Sequence, residues 1–251
     1  MDLEAGEPPR RVQPDEENLL VTNVALCIDP ATGVPSIFIG DTNSADASWF
    51  TNASGHWVHS WVLPPGNGFG VNGPYVACAY DGTTGALSMA AKWNSQGPGS
   101  LAVYTYNTTS STWSQSYLPT SDAIGVPSLK FDGNGTAWIA YRAGTLTASH
   151  LEVADLPVGA SSWTVTTVDA SAANTGLAPS MGIRAGEPAV AYYDQTDGNL
   201  RLATFDGTSW FAANVASTGN VGQFPSLRFH GTIPEISFWS ISGKSIRWAH
   251  G

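Results

Sequence analysis

Short apolar segments separated by turn residues recur along the chain at a nearly constant interval. Three segments, residues 126–131, 178–183 and 224–229, each begin with an apolar residue followed by a Pro-Ser pair. Pro127, Pro179 and Pro225 are 52 and then 46 residues apart. Each segment precedes a turn and a second apolar segment of strand length. Runs of four to eight apolar and β-branched residues bounded by turn signals are typical of strands.

Tryptophans mark the last strand of the first four repeats. Trp57, Trp113, Trp163 and Trp210 each begin a short strand-like segment, and they are 56, 50 and 47 residues apart. Repeats of about 45–50 residues with four strands each are the signature of propeller blades. The sequence therefore predicts an all-β fold, a single five-bladed β-propeller of four-stranded antiparallel blades, in which the first two repeats have diverged most.

The last repeat ends after its third strand, near Trp248. An additional strand-like segment, residues 18–22, precedes the first repeat. We expect this N-terminal strand to complete the C-terminal blade, because the pairing removes an open sheet edge that would invite aggregation. An open array or a barrel would leave the segment unexplained. The expected organisation is an acidic, Pro-rich leader or linker over residues 1–17 and the propeller over residues 18–251.

The repeats resemble those of bacterial secreted propeller proteins, in which Pro-Ser-Leu, Pro-x-Ile-x-Tyr-Tyr-Asp, Leu-x-x-Ala and Gly-x-x-Trp recur. Residues 188–194, Pro-Ala-Val-Ala-Tyr-Tyr-Asp, match best, and the likeness covers residues 18–251. More distantly, the repeats resemble sialidase-type repeats and small five-bladed lectins. The sialidase Asp-box is only loosely present at residues 132–138, where the Asp–Gly spacing differs. The resemblance implies a fold, whereas propellers carry many unrelated activities.

Composition and charge limit the kinds of partner and the cellular location that can be expected. Charged residues make up 12% of the chain, against about 25% in a typical soluble domain. The net charge is −10, so the surface repels phosphate and nucleic acid is not an expected partner. No run approaches the roughly 18 apolar residues of a membrane span. The weakly charged, turn-rich and Trp-rich composition predicts a secreted or extracellular protein. We expect its export signal to be absent from this chain, because Met1 precedes acidic, Pro-rich sequence.

The two cysteines lie on the first strands of neighbouring repeats. Aligning Asp29 with Asp81 offsets Cys27 and Cys78 by one residue. A one-residue offset places side chains on opposite sheet faces. On this basis a disulfide is disfavoured and buried free thiols are expected.

A candidate ligand site lies where the second strands end. Aromatic and polar residues are neighbours at that position in several repeats, and flat aromatic faces suit the apolar face of a sugar. The predicted ligand-binding residues are Asp41, Trp93, Tyr141, Arg142, Tyr193, Asp194 and Trp239. The sequence thus favours a non-catalytic, lectin-like module for a carbohydrate or glycoconjugate. The alternative for the aromatic residues is packing between adjacent blades.

Two other functions stay open. Asp29, Asp81 and Asp132 end three first strands and could serve a glycoside hydrolase or lyase with carboxylates in an axial funnel. Each lies in a turn sequence, however, where Asp commonly stabilises the turn, and this second interpretation is favoured. A protein-interaction propeller without a small ligand is the third possibility. The five histidines are scattered, and no catalytic residue, metal ligand or cofactor is predicted.

Overall fold

The protein is all-β in the part of the chain that the structure, a computed structural model, describes: residues 21–41, 46–63, 75–93 and 99–251. These residues form nineteen strands and no helix, so no described helix could cross a bilayer. The strands are β1 (Val21–Ile28), β2 (Pro35–Asp41), β3 (Asp46–Thr51), β4 (Val58–Leu63), β5 (Tyr75–Tyr80), β6 (Leu87–Lys92), β7 (Leu101–Asn107), β8 (Thr112–Tyr117), β9 (Ala123–Phe131), β10 (Ala137–Gly144), β11 (Ser149–Leu156), β12 (Thr164–Asp169), β13 (Leu177–Arg184), β14 (Glu187–Asp194), β15 (Asn199–Phe205), β16 (Trp210–Ala216), β17 (Val221–His230), β18 (Ile233–Ser240) and β19 (Ser245–His250).

The strands form five separate antiparallel sheets, each made of strands consecutive in the chain. The first sheet is β1–β4, the second β5–β8, the third β9–β12, the fourth β13–β16 and the fifth β17–β19. Every hydrogen-bonded neighbour is thus the next strand along the chain, as expected where short turns join antiparallel strands. The predicted four-stranded repeat is present four times, and the fifth sheet has three strands among the described residues.

Consecutive sheets pack face to face through their first strands. β1 packs on β5, β5 on β9, β9 on β13 and β13 on β17. An apolar cluster fills each junction, because a strand buries every second side chain and each sheet presents two such faces. From the first junction to the fourth, buried residues from the two sheets include Phe38 and Met89, Leu101 and Ile139, Val153 and Val190, and Leu200 and Ile236.

A disulfide joins the first two sheets, and the prediction of free thiols is wrong. Cys27 on β1 and Cys78 on β5 are bonded, with Cα atoms 5.9 Å apart. The one-residue offset was correct, but the conclusion drawn from it was not. Stacked sheets face each other with opposite faces, so equivalent positions do not meet across a junction and positions offset by one do.

The predicted closure is not seen in the described residues. Residues 18–20 lie outside them. Val21, at the end of the predicted closing segment, instead belongs to β1 and pairs with Asp41 on β2. Within the ranges given above, no strand of the first sheet packs extensively on a strand of the fifth.

Removing the disulfide should lower stability. Cys27 and Cys78 are 51 residues apart. A cross-link of that span lowers the entropy of the unfolded chain and raises the free energy of unfolding by about 2–4 kcal/mol. We expect the Cys27→Ala/Cys78→Ala variant to lose that amount in urea denaturation, and dithiothreitol to weaken the native protein equally. Dithiothreitol should leave the double variant unchanged. Two reactive thiols in the unreduced native protein would contradict the disulfide.

Candidate functional site

A cavity of about 280 Å³ opens where the first strands of four successive sheets begin. We call it the inter-sheet cavity. Its wall includes Tyr75, Val126, Ala178 and Phe224 from the first strands, and Arg142 and Tyr193 from the second strands. The two sets meet because the strands are antiparallel, so the start of each first strand pairs with the end of the second. Leu177 pairs with Tyr193, for example, and Ile124 with Arg142.

The Pro-Ser repeat shapes the cavity wall. The strand pairing breaks at Pro127, Pro179 and Pro225, where β9, β13 and β17 each bulge. Proline has no N–H to donate to the ladder, so it is confined to edges and bulges. The bulges bring the residues just before each proline to the cavity wall.

Two of these residues before proline have a strained backbone. Ala178 has a φ of 49° and Phe224 a φ of 50°. Positive φ is unfavourable for residues with a Cβ and is found chiefly at sites where the surrounding structure imposes it, often functional ones. Phe224 is also 74% exposed. A large aromatic ring is therefore held at the mouth of the cavity at a cost in backbone strain.

Two polar side chains of the wall, Arg142 and Tyr193, are held in place by hydrogen bonds. Arg142 is fixed by its bonds to neighbouring loops: its Nε donates to Ser149 Oγ at 2.7 Å, and one terminal nitrogen donates to the Leu146 carbonyl at 2.8 Å and to Asn174 Oδ1 at 2.7 Å. The Tyr193 hydroxyl donates to Asn220 Oδ1 at 2.7 Å. Burial raises the pKa of Tyr193, so this hydroxyl stays protonated at neutral pH.

A buried lysine lies next to the cavity. The Lys92 ammonium is 5.9 Å from the centroid of the Tyr75 ring, in cation–π contact. Burial lowers the pKa of Lys92 to about 8. At neutral pH the group therefore remains mostly protonated and adds positive charge behind Tyr75.

Among the predicted site residues whose side chains the structure describes, Arg142 and Tyr193 line the cavity. Tyr141, Asp194 and Trp93 are buried. The Tyr141 hydroxyl donates to Glu152 at 2.6 Å, and Asp194 Oδ1 accepts backbone N–H groups of its own hairpin turn.

Trp93 packs between the first two sheets, and Trp239 also lies apart from the cavity. Trp93 belongs to the apolar cluster that joins those sheets. Trp239 is partly exposed on the fifth sheet, on the face away from the fourth sheet. Asp41 is the last residue of β2.

The strand register explains why Tyr141 is misplaced. Ser128 pairs with Ala140 and Ser180 pairs with Ala191. Tyr141 is therefore equivalent to Tyr192, which also packs against the preceding sheet, and Arg142 is equivalent to Tyr193. Matching the second strands by sequence places Tyr141, rather than Arg142, level with Tyr193, and this shift of one residue exchanges the two faces.

Sequence reasoning also missed residues that line the cavity. Tyr75, Val126 and Phe224 were not among the predicted site residues. A signal was present, since Val126 and Phe224 directly precede the repeated Pro-Ser pairs. In the sequence the Pro-Ser pair predicts only a strand, whereas in the structure it lies at a bulge that places the preceding residue at the cavity wall.

The three aspartates considered for catalysis accept hydrogen bonds from residues of the turns that they begin. Asp29 accepts from Thr32 Oγ1 at 2.7 Å, and Asp81 from Thr84 Oγ1 at 2.6 Å. Asp132 accepts the Trp138 indole N–H at 3.1 Å. All three follow the ends of first strands, opposite the inter-sheet cavity. No group of three His, Cys, Asp or Glu residues suited to a metal occurs in the described ranges.

A buried ionic cluster joins the third and fourth sheets, where β12 and β14 end. Arg201 contacts Asp169 at 2.8 Å and Asp194 at 3.7 Å. The Tyr192 hydroxyl donates to Asp169 at 2.5 Å. Burial acts to raise the pKa of Asp169, but hydrogen bonds from Ser171 and Tyr192 and the charge of Arg201 hold it below its usual value. For Asp194, burial dominates and raises the pKa.

Comparison with known proteins identifies the fold. No protein-family model matches the chain, and no curated protein matches it in sequence. AofleA from Arthrobotrys oligospora superposes with a TM-score of 0.65 over 92% of this chain and 69% of its own, at 14% identity. The lectin of Aleuria aurantia, a six-bladed β-propeller, gives 0.58 over 90% of this chain and 73% of its own, at 14% identity. The fold is that of a β-propeller.

An enzyme shares the same propeller fold. The Hadza microbial sialidase Hz136 superposes with a TM-score of 0.64 over 90% of this chain, at 13% identity. This propeller spans only 57% of the length of Hz136. Identities this low establish the fold, and the function has to be argued from the site.

The ionic cluster should make the stability of the propeller depend on pH. A carboxylate with a lowered pKa stabilises the fold above its unfolded pKa, about 3.9, and this contribution is lost as the pH falls through the lower folded value. We expect Tyr192→Phe to cost about 1.5–3 kcal/mol at pH 7 in urea denaturation. The deficit should shrink below about pH 4. A deficit that is constant from pH 7 to pH 3 would contradict this role for Asp169.

Proposed function

We propose that this propeller is a non-catalytic carbohydrate-binding protein that acts outside the cell and binds its ligand in the inter-sheet cavity. The observation that carries the proposal is the exposed, strained Phe224 at the cavity mouth, in the same wall as Tyr75. Pyranose rings carry an apolar C–H face that packs on aromatic rings. Exposed aromatic side chains held rigidly in a concave site are suited to that contact.

The polar groups of the wall suit the hydroxyls of a sugar. Arg142 is oriented by three hydrogen bonds, so little side-chain entropy is lost when a ligand arrives. Gln223 also lines the cavity, and its amide offers both a donor and an acceptor. A few fixed polar groups in a mainly apolar pocket give orientation and specificity.

The cavity supports binding better than hydrolysis. Glycoside hydrolysis ordinarily requires two carboxyl groups on either side of the scissile bond. No aspartate or glutamate is among the described residues that line the inter-sheet cavity. Two of the similar structures illustrate the alternatives: one is a lectin with a fucose recognition mode, and the other is a sialidase. The wall chemistry favours the lectin-like function over a hydrolase, a lyase or a protein scaffold without a small ligand.

The five sheets are proposed to be the five blades of one ring over residues 18–251, with residues 1–17 as a leader or linker. Sequential packing through the first strands supports this arrangement. An extracellular location, and the bacterial source that the repeat resemblance implies, belong to the same proposal. The disulfide supports the location, since such bonds persist in oxidising compartments. Another protein that carries glycans is a suitable partner.

Glycan-array binding followed by calorimetric titration tests the function. We expect the full chain to bind a glycan, and Phe224→Ala to weaken its Kd at least tenfold, or about 1.4 kcal/mol. Phe211→Ala is the matched control, because Phe211 is 58% exposed on β16 and does not line the cavity. It should bind as the native protein does.

Two results would overturn the proposal. One is an absence of binding to any glycan together with release of reducing sugar from a polysaccharide panel, which would indicate an enzyme. The other is unchanged glycan affinity in Phe224→Ala, which would place the site away from the inter-sheet cavity.

A further inference from the structure

One arginine in the wall of the inter-sheet cavity is buried without a counter-ion. Arg142 is 9% exposed, and no carboxylate of the described residues forms an ion pair with it. Its hydrogen bonds all go to neutral oxygens, namely Ser149 Oγ, Asn174 Oδ1 and the carbonyls of Leu146 and Thr145. Burial lowers the pKa of Arg142, but a guanidinium stays charged at neutral pH. A buried charge is costly unless an opposite charge is paired with it.

Two other arginines show how this protein pairs a guanidinium when the charge serves the fold. Arg201 contacts Asp169 at 2.8 Å and Asp194 at 3.7 Å within the ionic cluster between the third and fourth sheets. Arg228 forms an ion pair with a glutamate on the fifth sheet. In both cases the chain itself supplies the carboxylate. Arg142 differs from them, because no described residue supplies its counter-charge.

The hydrogen bond from Arg142 to the neighbouring loop does not require a charge. Asn174 and Asn220 occupy equivalent positions, since the N–H of each donates to a hydroxyl of the next hairpin turn. Asn174 Oδ1 accepts from Arg142, whereas Asn220 Oδ1 accepts from the Tyr193 hydroxyl. Arg142 and Tyr193 are themselves equivalent in the strand register. A neutral hydroxyl therefore makes the same contact in the next sheet, and the charge of Arg142 has another role.

The guanidinium also has donors that the protein does not use. Nε and Nη2 make all of its hydrogen bonds, and Nη1 makes none with a described residue. Ile124 pairs with Arg142 and is followed by Gly125, where an added Cβ would meet no atom within 4 Å. All three residues line the cavity. A ligand atom therefore has room to approach the wall beside Arg142, and the Gln223 amide in the same wall offers further N–H donors.

We propose that the inter-sheet cavity takes a sugar that carries a carboxylate, and that this carboxylate accepts hydrogen bonds from Arg142 Nη1. The proposal rests on the carbohydrate-binding function proposed above and names the class of sugar. A neutral sugar would leave the buried guanidinium without a counter-charge, whereas a carboxylate supplies one. Hydrogen bonds between ionised partners are about twice as strong as neutral ones. The described lining residues include no aspartate or glutamate that would repel such a ligand.

The charge of the whole chain limits the ligand to a sugar with few charges. The net charge is −10, so the protein repels a densely charged polyanion. At physiological salt, exposed charges separated by more than about 8 Å are largely screened from each other. A single carboxylate is therefore attracted by Arg142 more than it is repelled by distant surface acids. We expect a hexuronic acid or a sialic acid rather than a highly sulfated polysaccharide.

Matched pairs of small glycosides test the preference in the native protein. Calorimetric titration at pH 7 compares methyl glucuronide with methyl glucoside, methyl galacturonide with methyl galactoside, and the methyl glycoside of N-acetylneuraminic acid with its carboxyl methyl ester. Within each pair the carboxylate is the difference. We expect the acid to bind at least about tenfold more tightly than its neutral partner in one of the pairs, because the acid alone gives the guanidinium a counter-charge. The pair that shows the preference identifies the sugar as a uronate or a sialate.

Variants of Arg142 test the assignment of the carboxylate to this residue. Arg142→Gln removes the charge and keeps N–H donors, so the ratio of the neutral and acidic Kd values should fall at least about tenfold. Arg142→Lys keeps the charge and should retain a preference for the acid. Arg184→Gln is the matched control, because Arg184 ends β13 at the opposite end from the cavity residue Leu177, roughly 20 Å along the strand. It should bind as the native protein does.

The possible results separate this proposal from the carbohydrate-binding function itself. If the native protein binds neutral sugars as tightly as the acids in every pair, and Phe224→Ala weakens that binding, the cavity binds sugar but the preference for a carboxylate is wrong. An acid preference that Arg142→Gln leaves unchanged would also overturn the proposal, since the carboxylate would then bind elsewhere. A failure to bind any of the acids, with neutral glycans still bound, has the same consequence. An absence of binding to any glycan would overturn both.

Discussion

Face-to-face packing of successive sheets is the interaction on which the rest of this protein depends. A sheet of three or four strands has two faces and cannot cover either of them itself. Each junction here is filled by side chains from two sheets, as with Phe38 and Met89 at the first. Burial of apolar area at about 25 cal/mol per Å² is the main source of stability. Each sheet is therefore stabilised by the sheets that pack on its faces.

The same packing determines where a site can form. Side chains within the junctions are committed to the core, as the buried Tyr141 and Tyr192 show. Only the ends of the strands are free to carry other chemistry. At one end, tight turns hold Asp29, Asp81 and Asp132 in local hydrogen bonds. At the other end, the bulges before the prolines leave room for a cavity and turn Phe224 outward.

The all-β fold and the sequence positions of many strands could be predicted from the sequence, because tryptophans mark strand starts and the Pro-Ser pairs recur within first strands. Trp210 begins β16, and Trp163 lies one residue before β12. What could not be predicted depends on register across a junction. Tyr141 was misplaced because the turn between the paired residues Phe131 and Ala137 is one residue longer than the turn between Ile183 and Pro188. The disulfide was missed because it depends on which faces of neighbouring sheets meet, which no single repeat reveals.

The differences between repeats bear on how many ligand sites the propeller has. Lys92, Arg142, Tyr193 and Trp239 occupy equivalent register positions in four successive sheets, paired with Tyr75, Ile124, Leu177 and Gln223. None of these pairs repeats another. A pocket formed between any two sheets therefore has its own chemistry, and a row of identical sites around the rim is excluded for these sheets. The inter-sheet cavity draws between one and four residues from each of four sheets, so the ligand site proposed there is a single one. Its specificity would come from the divergence of the repeats, whereas its rigidity comes from the packing that they share.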